Sequence, residues 1–190
     1  MKTARSRRQV LALFGGSGLW LAGAARASTS AATALSVPGQ AAVVLPGARL
    51  IGQGLLRVWG FQVYHSRLWA LPGFQADLYA QQPLALELEY LRAFRATDIA
   101  RRSIEEMRGI GTFSDAQAER WERALATVLP DVSPGDRLLG VHRPGQGARF
   151  FAGNQDLGAI DDPLFSRLFF GIWLDPKTAA PALRQALLGS

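Results

Sequence analysis

The two histidines are the first residues to consider for metal binding or acid–base chemistry. His65 and His142 are far apart in the sequence, and neither has an aspartate or glutamate at the spacing of a metal-ligand motif. Zinc sites usually combine histidine with cysteine or carboxylate ligands at short spacings. The chain has no cysteine, which excludes a thiolate metal site and a disulfide. We therefore predict no metal site and two histidines that pack in the core or lie on the surface.

Motifs for nucleophilic catalysis and phosphate binding are also missing. No Gly-x-Ser-x-Gly sequence occurs, which is the turn that presents a catalytic serine in α/β-hydrolases. Gly52-Gln53-Gly54 lacks the third glycine and the strand-to-helix context of a phosphate loop, so it predicts a bulge or turn. Asp161-Asp162 precedes Pro163, which is typical of a helix N-cap followed by proline. We interpret these aspartates as capping residues and predict no cofactor.

Strand patterns occur in three regions of the chain. Residues 41–71 are rich in Val, Leu, Tyr and Trp and are broken by glycines, which predicts two or three strands. Residues 84–90 alternate with a period of two, which predicts a strand with one buried and one wet face. Residues 136–142, 148–152 and 155–160 predict further strands, with a hairpin turn at Gly153-Asn154. Four tryptophans are interpreted as core anchors: Trp59, Trp69, Trp121 and Trp173.

Helical patterns separate these strands. Apolar spacing predicts a helix over 97–108, and the capping box Ser114-x-x-Gln117 opens a helix that ends at Pro130. Residues 164–173 are apolar on nearly every side, which predicts a central, buried helix. Thr178 is predicted to cap a last short helix. The order of strands and helices predicts an α+β fold in which helices cover one face of an antiparallel sheet.

The first 27 residues have the three parts of an export signal. A basic head precedes an apolar stretch over 10–25, and Ala25-Arg26-Ala27 is a small-x-small cleavage site. Arg7-Arg8 lie in a segment that resembles the twin-arginine export motif. The apolar stretch contains glycines and is too weak for a stable membrane span. We predict cleavage after about Ala27, a flexible lead over 28–40 and one exported, periplasmic domain over 41–190.

The net charge is concentrated in the predicted export signal. The chain has 21 basic and 15 acidic residues, and five of the basic residues lie within residues 1–27, which leaves 16 basic against 15 acidic residues. A nucleic-acid-binding surface needs a basic patch that remains after cleavage. We therefore predict no nucleic-acid partner.

Four blocks of the sequence, taken in order, resemble one protein family. They are LIGQGLLRVWGFQVYHSRLW at 50–69, LELEYLRAFRATDIARRSIEEM at 86–107, a glycine-rich block from Gly135, and DPLFSRLFFGIWLDPKT at 162–178. Their order resembles that of the chalcone isomerase family and its bacterial exported relatives. The resemblance implies an open-faced β-sandwich, with a large antiparallel sheet, a helical layer on one face, and a ligand cleft between them.

The resemblance also implies where a site would lie. Plant enzymes of this family close a flavanone ring with an arginine, a threonine, a tyrosine and an asparagine, and these positions fall at Arg57, Tyr64, Ile99 and Glu106. Ile99 cannot donate a proton. Glu106 adds a negative charge where an enolate would form, which opposes its stabilisation. The resemblance therefore implies the fold without the catalytic set.

Some members of the family bind fatty acids through an arginine and a tyrosine, and Arg57 with Tyr64 would suit a carboxylate. Alternatively, Arg57 pairs with Glu87 or Glu89 while Tyr64 only packs, and both interpretations stay open. Our first hypothesis is a non-catalytic protein that binds a small apolar carboxylate, such as a fatty acid, or a phenolic ligand. Its predicted ligand-binding residues are Arg57, Tyr64, Ile99 and Glu106. The alternatives are an intramolecular lyase or isomerase with a rearranged site, and a protein-interaction module with an unidentified partner.

Overall fold

The computed structural model describes residues 40–189, so the predicted export signal and nearly all of the predicted lead lie outside the described residues. The helices are α1 (Gln40–Val44), α2 (Ala96–Ile110), α3 (Asp115–Val128), α4 (Pro163–Leu174) and α5 (Pro181–Leu188), with a 3-10 helix over Ala76–Gln81. The strands are β1 (Arg49–Val58), β2 (Phe61–Ala70), β3 (Leu84–Tyr90), β4 (Arg137–Arg143), β5 (Gly147–Ala152) and β6 (Gln155–Ile160).

The six strands form one sheet in chain order, and every neighbouring pair is antiparallel. Helix α4 packs on β4 and β5, α5 packs on β1 and β2, and α3 packs beside β6. Helix α2 packs on α3 and α4 and completes the layer. The main apolar core lies between this layer and the sheet. The predicted α+β fold, an open antiparallel sheet with helices on one face, is confirmed.

Helix α4 is the central helix of the layer, as its sequence predicts. The Asp162 carboxylate accepts hydrogen bonds from the amides of Leu164 and Phe165, and Pro163 occupies the first turn. The same carboxylate accepts a hydrogen bond from Trp121 Nε1 at 2.8 Å, which joins the start of α4 to α3. Side chains on nearly all sides of α4 are buried. The predicted N-cap is confirmed, as is the capping box of Ser114 and Gln117 at the start of α3.

The second face of the sheet differs from the prediction of a wet surface. Ala85 and Glu87 of β3 are both buried. Helix α1, in a segment predicted to begin a strand, packs Ala41 and Leu45 into a small second core that includes Ala85. Glu87 is buried together with its partner, because Arg67 on β2 donates to it at 2.6 Å. The predicted period of two is correct, but this face is not simply wet. Helix α1 covers part of it, and the Arg67–Glu87 ion pair lies next to the covered part.

Two local predictions are wrong in detail. Thr178 does not cap α5, which begins at Pro181 after Ala180. Its hydroxyl donates to the carbonyl of Ile172 at 2.5 Å and accepts from the amide of Ala180 at 3.1 Å, so it joins the end of α4 to the start of α5. Trp59 is not a core anchor, because it occupies a two-residue turn between β1 and β2 and points no large surface into the core.

His142 is buried between the sheet and α4. Its Nε2 donates to the carbonyl of Ala80 at 3.1 Å, and its Nδ1 lies 2.6 Å from the hydroxyl of Ser166. Burial lowers the pKa of His142 below its ordinary value of 6.5, although the bond to Ala80 opposes this shift. Since the folded state favours the neutral ring, this residue stabilises the fold above the ordinary pKa, and the contribution is lost as the pH falls.

We expect the free energy of unfolding to decrease between pH 7 and pH 5, and this decrease to be smaller in His142→Gln, which cannot titrate. Urea unfolding at several pH values measures the slope, so a lower absolute stability of the variant does not affect the comparison. His65 is exposed on the sheet, and His65→Gln is the matched control for the loss of a histidine side chain. An unchanged slope in His142→Gln would contradict the expectation.

Candidate ligand cleft

A cleft of about 950 Å³ lies between the sheet and the helical layer, at the place that the family resemblance implies. Its volume falls in the range of small-molecule sites, roughly 300–1,000 Å³. The sheet side of the cleft includes Leu56, Leu86, Leu88, Leu138 and Phe150. The helical side includes Ile99 from α2, Phe169, Phe170 and Trp173 from α4, and Leu183 from α5. Most of the wall is therefore apolar.

Arg57 lines this cleft near the end of β1, where its side chain is exposed. The alternative pairing of Arg57 with Glu87 or Glu89 is not present. Arg67 lies 2.6 Å from Glu87, and Arg137 lies 2.8 Å from Glu89. Within residues 40–189, no carboxylate lies within ion-pair distance of Arg57. The guanidinium is therefore free to receive an anion.

Tyr64 lies on β2 and faces the same cleft. Its hydroxyl oxygen accepts a hydrogen bond from Trp173 Nε1 at 2.9 Å, so its own proton is not used in that bond. Burial raises the pKa of Tyr64, and the nearby Tyr90 and Glu106 raise it further. The phenol is therefore neutral at physiological pH and can donate a hydrogen bond to a ligand.

Tyr90 is a second phenol in the cleft that the sequence reasoning missed. Its ring meets Tyr64 edge to face, with centroids 5.9 Å apart, and burial raises its pKa. No hydrogen bond joins its hydroxyl to another side chain among the described residues. The signal was available, because the alternation in residues 84–90 already placed Tyr90 on the face occupied by Leu86 and Leu88.

Ile99 and Glu106 both line the cleft from α2. Glu106 forms an ion pair with Arg102 one turn earlier, and Arg102 also lies 3.2 Å from Glu105. Ser103 lies between Ile99 and Glu106 on α2, and its hydroxyl donates a hydrogen bond to the carbonyl of Ile99 at 2.8 Å. The negative charge of Glu106 is thus partly balanced by Arg102, a cleft residue that the sequence reasoning did not single out.

The structure brings all four predicted site residues to one cleft: Arg57, Tyr64, Ile99 and Glu106. Around a largely apolar volume it places the Arg57 guanidinium, which has no carboxylate partner among the described residues, and the two neutral phenols of Tyr64 and Tyr90. This arrangement suits an amphiphile with an apolar body and an anionic head, since a guanidinium binds a carboxylate through two parallel bonds. No cluster of three or more potential metal ligands occurs within residues 40–189.

Comparison with known proteins identifies the class. A family model described as chalcone isomerase-like matches residues 32–189, so the chain belongs to the chalcone isomerase-like family. A curated relative, an uncharacterized protein of Haemophilus influenzae, is 29% identical over 133 residues, which are 69% of this chain and 63% of the relative. The match thus covers less than two thirds of that relative's length.

A solved structure supports the same fold. The crystal structure of a fatty-acid binding protein of Arabidopsis thaliana superposes with a TM-score of 0.60 at 12% identity, covering 75% of this chain and 87% of that one. At this identity the similarity shows the fold alone. Among the described helices, none is long and apolar enough to cross a membrane.

Proposed function

We propose that this protein binds a small apolar carboxylate, such as a fatty acid, in the sheet–helix cleft and does not catalyse a reaction on it. The observation that carries the proposal is the Arg57 guanidinium, which has no carboxylate partner among the described residues and lies beside an apolar cleft of about 950 Å³. The fatty-acid binding protein of Arabidopsis thaliana, which shares the fold, supports this choice of ligand class. The sequence of residues 1–27 supports the periplasm as the place of action.

The two ends of such a ligand would contribute differently. Each buried methylene adds roughly 0.8 kcal/mol, so the apolar tail supplies most of the affinity. A hydrogen bond to a charged group contributes about 1.5–3 kcal/mol, so Arg57 selects ligands with an anionic head. Ile99 offers no polar atom for proton transfer, and Glu106 is already in an ion pair with Arg102. Both features support binding without catalysis.

We expect Arg57→Ala to weaken binding of a long-chain fatty acid by roughly ten-fold or more, because each ~1.4 kcal/mol is a factor of ten. Tyr64→Phe should cause a smaller loss, since it removes only one hydroxyl. Isothermal titration calorimetry measures both. The expected ligand selectivity adds a second readout: the fatty alcohol of equal chain length should bind wild type and Arg57→Ala with similar affinity.

Arg49→Ala is the matched control, because Arg49 lies on the same strand, is exposed, and does not line the cleft. It should leave the affinity for the fatty acid unchanged. The proposal fails if wild type binds no fatty acid, or if Arg57→Ala binds the acid as well as wild type does.

A further inference from the structure

The turn between β1 and β2 exposes three large apolar side chains together. Trp59 is 94% exposed, Phe61 is 61% exposed and Val58 is 40% exposed. We call these three residues the apolar tip. Val58 and Trp59 also line the cleft, so the tip stands at the mouth of the cleft. The tip is therefore a surface feature that is continuous with the candidate binding site.

Trp59 is an unfavourable residue for this turn. Val58 pairs with Phe61, and the two residues between them have positive φ values, 49° for Trp59 and 83° for Gly60. Such a two-residue turn favours asparagine followed by glycine, because most side chains avoid positive φ. Trp59 is thus strained and almost wholly exposed to solvent. A strained, bulky residue that is almost wholly exposed points to a function outside the fold.

Cations flank the apolar tip. Arg57 precedes it on β1, and the Arg92 guanidinium lies 5.1 Å from the centroid of the Phe61 ring. The backbone amide of Leu91 donates to the carbonyl of Val63 at 2.9 Å, which holds the Arg92 segment against the start of β2. Among the described residues, neither arginine has a carboxylate partner.

The acidic groups at the cleft mouth do not cancel this charge. Asp98 forms an ion pair with Arg101 at 2.7 Å, and Glu106 forms one with Arg102. In the described part of the chain, the surface around the tip therefore presents exposed aromatic groups beside two positive charges that no carboxylate compensates. Tryptophan prefers the headgroup region of a bilayer, and exposed arginines are attracted to anionic lipids.

We propose that the apolar tip docks into the headgroup region of an anionic lipid bilayer, with Arg57 and Arg92 at the lipid phosphates and the cleft mouth towards the membrane. The shape of the tip favours a bilayer over a protein partner. A stable protein interface buries about 800 Å² on each side. Three side chains on a protruding turn provide much less area than that, whereas a bilayer accepts a small protrusion without a complementary surface.

The test measures binding to vesicles without any fatty acid, so its result is independent of the proposed cleft ligand. The protein is purified in the form that accumulates in the producing cells. It is sedimented with vesicles of phosphatidylcholine and phosphatidylglycerol at about 3:1, or with vesicles of phosphatidylcholine alone. We expect tighter binding to the anionic vesicles. Trp59→Asn should weaken this binding about ten-fold or more, because it removes the largest inserted side chain. Arg92→Gln should cause a loss of roughly five-fold on anionic vesicles only.

The choice of asparagine makes the test robust against misfolding. Trp59→Asn suits the positive φ of the turn, so its urea midpoint should equal or exceed that of wild type. Leu78→Asn is the matched control, because Leu78 is an exposed apolar residue of the 3-10 helix outside the tip, and it should bind vesicles as wild type does.

Three results would overturn the docking proposal. The first is that wild type binds neither kind of vesicle, which would leave a protein as the occupant of the tip. The second is that Trp59→Asn and wild type bind anionic vesicles equally well. The third is that wild type binds neutral and anionic vesicles equally well, which would remove the role of the arginines. If, in the second case, Trp59→Asn also lowers fatty-acid affinity in the absence of lipid, Trp59 belongs to the cleft alone.

Discussion

Phe170→Ala is expected to lower the free energy of unfolding by about 3–5 kcal/mol, the usual loss when a buried phenylalanine is truncated. The Phe170 side chain is 0% exposed. Its ring lies 5.4 Å from the rings of both His142 and Phe169, centroid to centroid. A Cβ atom at Gly140 of β4 would lie only 3.2 Å from Phe170 Cζ, so the ring rests directly on the strand backbone. Its loss would remove this contact between α4 and β4 and leave a cavity there.

The cavity left by Phe170→Ala would also join the ligand cleft, because Phe170 forms part of the cleft wall. Urea unfolding of wild type and variant measures the stability change. Phe61→Ala is the matched control, since the Phe61 ring is largely exposed and its loss should change stability by much less than that of Phe170. A loss below about 1 kcal/mol in Phe170→Ala would contradict the packing of α4 on β4.

Gly52→Ala is expected to destabilise the fold at the upper end of the usual range for an overpacked site, about 3 kcal/mol. Gly52 lies on β1 where α5 crosses it. A Cβ atom there would clash with the carbonyl oxygen of Ala186 and would lie 2.5 Å from that of Leu187. These are backbone atoms of α5, so the helix itself must move. The structure thus gives Gly52 a role in helix packing beyond the predicted bulge, which is also present next to it.

The displacement of α5 should have a local signature. In Gly52→Ala, hydrogen exchange should accelerate more at the amides of α5 than at the amides of α4. Gly109→Ala is the matched control, because Gly109 is an exposed glycine in α2 with no atom near the position of a new Cβ. It should be neutral or stabilising, since alanine has the higher helix propensity. Equal stability of Gly52→Ala and wild type would contradict the close approach of α5 to β1.

The sequence by itself determined the class of fold and the ends of the central elements. The capping box at Ser114 and the Asp162-Pro163 start are local, since a side chain there bonds amides two or three residues away. The hairpin turn at Gly153-Asn154 and the period of two in residues 84–90 are equally local. The family resemblance then predicted the layer order and a cleft between sheet and helices. The family match confirms the resemblance itself, and the observed sheet and helices confirm the layer order.

Only the tertiary structure decided which partners meet. Glu87 lies directly opposite Arg67 in the register between β2 and β3, and this pairing leaves Arg57 without a carboxylate partner within residues 40–189. Likewise, Trp173 reaches Tyr64 across more than one hundred residues of chain, and α1 covers a face that alternation alone marks as wet. Trp59 is exposed because its place in a two-residue turn overrides its hydrophobicity. These outcomes depend on strand register and helix docking, which are set by packing between distant segments and have no local signal in the chain.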